Sequence, residues 1–350
     1  MVSRDPLTPR AERSVLRLRS SHSLLTPLRT KRGPSNPLRG RCLLAGFLIL
    51  ALFLTGCSYS MTVMTPASPA GTPVPSASAI PPTSAPTSAP DYAAQIRNAQ
   101  YQLGLPDSLR VVQLTDGKYE SNPPGSPDYA SATVMDHSAR GDLTGDGVDE
   151  IAVAVVENYG GTGNFVFIAV YSIVNGEPAF LTSTLVDDRP AINALSIANG
   201  EIFLRSITHA SEDPFCCPTL QNERHYQLID DQLQITDYVT FTPDGRPRAI
   251  TIESPANGSE AFSSVQIKGS VAIAPFENNL AYRIFDVGGI ELSAGAVTVN
   301  AADLGAPGTF ETMVNIGGLL SGSVVRIEIQ DISAKDGSLL AMDSVELVVK

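Results

Sequence analysis

The chain has 350 residues with no Trp, 28 Gly and 26 Pro, and its apolar stretches are rich in Val, Ile and Ala, a mixture that favours short strands and turns and excludes an all-helical fold. At ordinary domain sizes this length holds about two folded domains beside a leader and a linker, not one large enzyme core. The formal net charge is −12, yet ten Arg and Lys against Asp5 and Glu12 make residues 1–41 +8 and leave −20 for the remainder. So acidic a remainder excludes nucleic acid as a partner, because phosphates need cationic neutralisation, and suits cations such as Ca²⁺.

The basic segment precedes an apolar run of fifteen residues, Cys42–Gly56, which is shorter than the roughly 20 residues a membrane-spanning helix needs. It reads as the core of a signal peptide, residues 1–56, with an unusually long basic leader and a cytoplasmic N-terminus. An uncleaved signal anchor is the alternative. At its end Leu54-Thr55-Gly56-Cys57 resembles the lipobox of bacterial lipoproteins. The resemblance implies cleavage before Cys57, a diacylglyceryl group on its sulfur, and lipid anchoring on the extracytoplasmic face of the cell membrane. Two acyl chains anchor stably where one gives marginal binding. Residues 57–90 follow as a disordered linker: Pro66–Pro90 holds eight prolines among Ser, Thr and Ala, a composition that cannot bury a core and extends toward polyproline II.

Residues 91–245 are expected to form an acidic, antiparallel β-meander with one short helix. Asp91 is placed to cap a helix whose face is Ile96, Ala99 and Leu103 and which Gly104 and Pro106 end. Strand-like runs follow at 131–135, 150–156, 164–173, 179–186, 192–197, 202–207 and 224–229. They are punctuated by Gly160-Gly161, Asn175-Gly176 and Asn199-Gly200, and the unit closes near Pro243-Asp244-Gly245.

Within this unit, Asp142-Leu143-Thr144-Gly145-Asp146-Gly147-Val148-Asp149-Glu150 places oxygen side chains at positions 1, 3 and 5 with Gly at 6. That alternation can wrap a tight turn around a hard cation. The candidate ligands are Asp142, Thr144 and Asp146 with the Val148 carbonyl and Glu150. An EF-hand is disfavoured, since Val153 stands at position 12 and the loop runs straight into a strand. The segment is more similar to the calcium loops of integrin-type (FG-GAP) repeats, which link two strands and take their fourth side chain from position 9. The alternative is an Asp/Gly hairpin holding no metal.

Cys216 and Cys217 are adjacent in DPFCCPT. With Cys42 removed and Cys57 acylated they have only each other in the mature chain, so a vicinal disulfide or free thiols are expected. A soft-metal site with His209 and His225 matches no zinc spacing. No HExxH, GxSxG, GxGxxG or P-loop motif is found. Asp136 and His137 could serve as a base with its orienting carboxylate, but their closeness in sequence favours a surface pair, and the Gly-rich run Asn158–Asn164 lies between strands as a hairpin turn.

Residues 248–350 read as a separate unit of seven strands, at 250–253, 265–272, 280–286, 291–299, 309–315, 323–331 and 340–349, which favours an immunoglobulin-like sandwich. The opening Ile252-Glu253-Ser254-Pro255-Ala256-Asn257-Gly258, the central Gly269-Ser270 with Phe276-Glu277-Asn278-Asn279-Leu280, and the late Ile332-Ser333-Ala334-Lys335-Asp336-Gly337-Ser338 together resemble the immunoglobulin-like domain of bacterial spore germination proteins. The resemblance implies a β-sandwich and a role in the cell envelope, without assigning an activity. Two functions follow as expectations. The first is a non-enzymatic envelope lipoprotein, spore- or wall-related, that binds an envelope protein or a cell-wall polymer. The alternative is a surface hydrolase with its site in residues 131–165.

Overall fold

The computed structural model describes residues 91–105 and 108–350. The leader, the apolar segment, Cys57 and the Pro-rich linker lie outside the described residues.

The protein is mainly β, with antiparallel sheets and an immunoglobulin-like C-terminal part. It opens with α1 (Tyr92–Ile96), capped as expected by Asp91, whose side chain accepts from the Ala94 amide at 3.1 Å. The helix stops earlier than its apolar spacing predicts, and Gln100–Leu103 is strand β1, paired with β2 (Arg110–Gln113). Tyr101 and Leu103 alternate with exposed neighbours on β1 and are fully buried. Period-two burial against a partner strand therefore overrode a helical reading that rested on three positions.

Strands β3 (Lys118–Glu120), β4 (Ser131–Gly141), β5 (Glu150–Asn158), β6 (Phe165–Val174) and β7 (Glu177–Asp188) form one five-stranded antiparallel sheet in chain order. Its centre is apolar on both faces, because β5 and β6 are covered twice. On one face Val153, Val155, Phe167 and Tyr171 pack under α1 and the β1–β2 ribbon. On the other, Ala152, Ala154, Ile168 and Val170 meet the second sheet. That sheet starts with β8 (Ala191–Ala198), β9 (Glu201–Thr208), β10 (Leu220–Ile229) and β11 (Gln232–Phe241). Its contribution to the shared core is Ile192, Ile202, Leu204 and Tyr226. The strands pair sequentially as a meander except at β7–β8, where the chain crosses between sheets. Asn175-Gly176 and Asn199-Gly200 both take left-handed φ, the backbone a two-residue hairpin turn requires.

A short β12 (Pro247–Arg248) folds back on β11 through the Pro243-Asp244-Gly245 turn. Next come β13 (Ile250–Ser254), β14 (Ser259–Ala261), β15 (Ser264–Val271), β16 (Asn279–Asp286), β17 (Glu291–Ala301), β18 (Gly308–Asn315), β19 (Val324–Ile332) and β20 (Leu339–Val349), which include all seven expected strands. Sheet β13-β15-β18 faces sheet β17-β16-β19-β20 over a core of Ile267, Ile284, Val314, Ile327 and Leu347, and β17 pairs into both. The motif residues have physical roles here. A Cβ at Gly269 would lie 2.5 Å from the Phe310 ring and 2.1 Å from the Thr251 carbonyl oxygen, so only Gly fits. Asn257 Oδ1 accepts from the Glu346 amide at 2.7 Å and ties the opening loop to β20.

Strand β20 also pairs with β11, Asp237 opposite Asp343, Tyr238 opposite Met342 and Val239 opposite Ala341, so one sheet runs from β8 into the sandwich. The face of β19 that points away from the sandwich core carries Arg326, Glu328 and Gln330, all nearly buried. They satisfy one another: Arg326 pairs with Glu328 at 3.1 Å, and its Nη1 donates to the Ile235 carbonyl at 3.3 Å.

Candidate functional site

The loop 142–150 joins β4 to β5, with Gly141 and Glu150 paired across its neck. The structure brings the five candidate ligand residues into one hairpin. Their carboxylates cap backbone amides. Asp142 Oδ1 accepts from Gly145 N at 2.6 Å and Oδ2 from Gly147 N at 2.9 Å, while Asp146 Oδ1 accepts from Val148 N at 2.7 Å. Glu150 is buried at 2% exposure, and its Oε2 accepts from Leu143 N at 2.8 Å and Thr144 N at 3.1 Å. Gly145 and Gly147 both take left-handed φ, which is why the loop needs Gly there. Among the described residues no three His, Cys, Asp or Glu side chains are grouped to hold a metal.

Asp136 and His137 sit where β4 loses register with β5, between Val134 and Ser138. Asp136 is exposed and His137 half-buried, as neighbours on opposite faces of a strand, so the two do not form a dyad.

The Cys216 and Cys217 sulfurs lie 2.30 Å apart in the exposed loop between β9 and β10. Asp213 organises this loop by accepting from the Ala210 and Thr219 amides at 2.8 and 2.7 Å and from the Thr219 hydroxyl at 2.8 Å. Those bonds hold its carboxyl below the usual range, the Ala210 amide first among them. His209 is engaged at both ring nitrogens, Nδ1 with Asp187 at 3.0 Å and Nε2 with the Phe215 carbonyl at 3.2 Å. His225 is held by Glu201 at 2.9 Å on β9. His209 thus reaches the residue before Cys216, while His225 is held on the sheet by Glu201. The same loop meets the β19–β20 turn, where the Ser211 hydroxyl donates to Asp336 and Lys335 pairs with Glu212.

Beside that contact lies a cleft with a volume of 690 Å³, within the size range of small-molecule sites. Its walls come from both halves of the fused sheet: Arg246 and Arg248 from the β11–β12 hairpin, Ile273, Phe276 and Leu304 from sandwich loops, and Lys335 from the β19–β20 turn. Phe276 and Leu304 are 67% and 71% exposed, unusual for large apolar side chains beside a cavity. Phe276 is followed by Glu277 and Asn278, both at left-handed φ, a backbone strain of the kind that gathers at binding sites. Asp331, at 4% exposure, stands 4.0 Å from Arg248, and burial pushes its carboxyl up. A second cavity of 440 Å³, lined by Thr219, Gln221 and Thr240, shares Thr242, Arg248 and Leu340 with the first.

The cleft residues escape a one-dimensional reading. Only the closeness of Arg246 and Arg248 to the Pro-Asp-Gly turn, and a Phe within a polar turn, hint at them. No curated protein matches the chain. Residues 249–338 match the family described as the immunoglobulin-like domain of bacterial spore germination, and this part of the chain carries that domain.

Proposed function

We propose that the chain is an extracytoplasmic lipoprotein, anchored in the cell membrane through acyl groups on Cys57, whose folded part is a non-enzymatic binding unit for an envelope protein or wall polymer. The observation that carries the reading is the fusion of the germination-type domain to a second sheet through β11 and β20, which builds a cleft from both. Ligand sites favour such junctions. In support, the carboxylates that a hydrolase in residues 131–165 would use are engaged in holding a loop: Glu150 and Asp142 each accept two backbone amides.

Calcium at the 142–150 loop belongs to the same proposal. A carboxylate that accepts from amides keeps further lone pairs, and a cation would draw Asp142, Asp146 and Glu150 inward with the Thr144 hydroxyl and the Val148 carbonyl. Its role would be structural.

The test is fractionation of cells expressing the full chain and Cys57→Ser. The parent is expected with membranes and the variant in the soluble fraction or as unprocessed precursor. A variant retained on membranes at the parent's level and size overturns the anchor. Co-sedimentation of the detergent-solubilised parent with isolated wall sacculi tests the wall-polymer arm.

A further inference from the structure

We propose that the cleft at the β11–β20 junction binds a short acidic peptide, seating a carboxylate on Arg248 and the neighbouring apolar side chain between Phe276 and Leu304. The inference rests on the binding reading above and names the ligand class of that site.

Charge is the first argument. Residues 91–350 carry net −20 with only fourteen Lys and Arg, and three of these, Arg246, Arg248 and Lys335, line this one cavity. Two are committed, Arg246 to Asp244 at 2.9 Å and Lys335 to Glu212. Arg248 is not, because its nearest carboxylate, Asp331, lies 4.0 Å away, beyond hydrogen-bond reach. A guanidinium has five donors in a fork that matches a carboxylate, so Arg248 is the cation with donors to offer. Asp331 lines the same cavity.

The apolar half is the second argument. Ile273 and Ala274 are buried at the cavity wall, and Phe276 and Leu304 stand exposed beside them. An apolar group entering there covers surface that is otherwise left to water.

The continuation past Arg248 chooses among amphipathic anions. The second cavity adds the Gln221 side-chain amide, which matches peptide N–H and C=O groups, while the Thr219 and Thr242 hydroxyls beside it are held by Asp213 and Asp244. An acyl chain would bring nothing to pair with that amide, whereas a peptide backbone would.

The test is fluorescence anisotropy on the full chain in detergent with two labelled probes, fluorescein-Gly-Leu-Glu-Leu-Glu and its Gln-for-Glu amide counterpart, and with dodecanoate as competitor. Saturable binding of the acidic probe is expected, weaker by about tenfold or more for the Gln probe, which carries the same label and differs only in its peptide carboxylates, as befits loss of a charge-assisted contact. Arg248→Gln should weaken the acidic probe by about the same factor. Leu304→Ser alters only an exposed side chain, so its fold is retained, and it should weaken binding severalfold. Arg283→Gln, remote and paired with Glu291, should leave binding unchanged. No saturable binding at millimolar probe, equal affinity in Leu304→Ser and the parent, or dodecanoate bound in preference to the peptide overturns the proposal. If the sacculus co-sedimentation of the parent persists in Arg248→Gln and Leu304→Ser, the wall-binding reading stands while this site fails.

Discussion

Asp237 and Asp343 face each other as a register pair across β11 and β20, two carboxylates at the seam where the two halves of the sheet join. Asp343 accepts from the Ile252 amide at 2.6 Å and the Ser344 amide at 2.8 Å. Asp237 is the one that yields: burial, then the charge of Asp343, pushes it from 3.8 to about 7. His225 faces it from β10, with Glu201 and Glu223 nearby.

The seam makes stability depend on pH. A carboxyl raised on folding contributes stability that is complete below its unfolded value and is lost as pH rises through its folded one, here through about 7. Burial raises Asp343, and the Glu201 hydrogen bond raises His225 above 6.5, so both act in the same direction. Glu201, lowered chiefly by its His225 bond, acts oppositely but below its ordinary 4.5. The melting temperature should therefore fall between roughly pH 5 and 8. Asp237→Asn should flatten that slope and raise the melting temperature at pH 8 by roughly 3–6 °C. A flat parent profile would refute the account.

Glu157 is fully buried at the end of β5, where it pairs with Arg110 at 2.7 Å and accepts from the Tyr159 hydroxyl at 2.6 Å. Arg110→Ala leaves that carboxylate without its cation. The expected loss is about 2 kcal/mol by urea unfolding, discounted because Arg110 is partly exposed. Adding Glu157→Gln should recover part of it.

For the 142–150 loop, calcium is expected to raise the melting temperature of the parent, and Asp142→Ala with Asp146→Ala should abolish the rise. Glu150→Gln separates the loop's own needs from the cation. It weakens two amide bonds to a buried charge and should cost about 1–3 kcal/mol with calcium absent. A calorimetric titration of the parent that stays flat removes calcium from the proposal.

In the 209–219 loop a bond between adjacent cysteines closes no chain between them, so it restricts the unfolded state little. Replacing Cys216 and Cys217 by Ala should leave the melting temperature nearly unchanged. Asp213→Ala, which removes three bonds that shape the loop, should lower it more. The reverse order would show that the cysteines hold the loop.

Where strands end in Gly-containing turns, the sequence displays them: Asn175-Gly176 and Asn199-Gly200 fall at their hairpins, and all seven sandwich strands are legible. Strand β11 is hidden because the turn before it is Asp230-Asp231, which takes left-handed φ at both residues with no Gly to announce it. The β1 strand reads as helix since Ile96, Ala99 and Leu103 are spaced three and four apart, while the period-two pair that is buried, Tyr101 and Leu103, spans too few residues to stand out. Arg326, Glu328 and Gln330 alternate along β19 like a solvent-facing row, and only the tertiary fold reveals that they are covered. The cleft is likewise invisible, as Arg248, Leu304 and Lys335 are far apart in the chain and meet through the β11–β20 seam.

Joining β11 to β20 also removes two open sheet edges at once. A fragment cut between residues 245 and 248 would expose the unpaired backbone of β11 on one piece and of β20 on the other, and would wet the Arg326–Glu328–Gln330 row. Bare edges recruit foreign strands. The separated halves should therefore self-associate or stay insoluble, whereas the uncut protein should melt as one cooperative body, and any shuffling of the germination-type domain into another chain would have to bring a new cover for that edge.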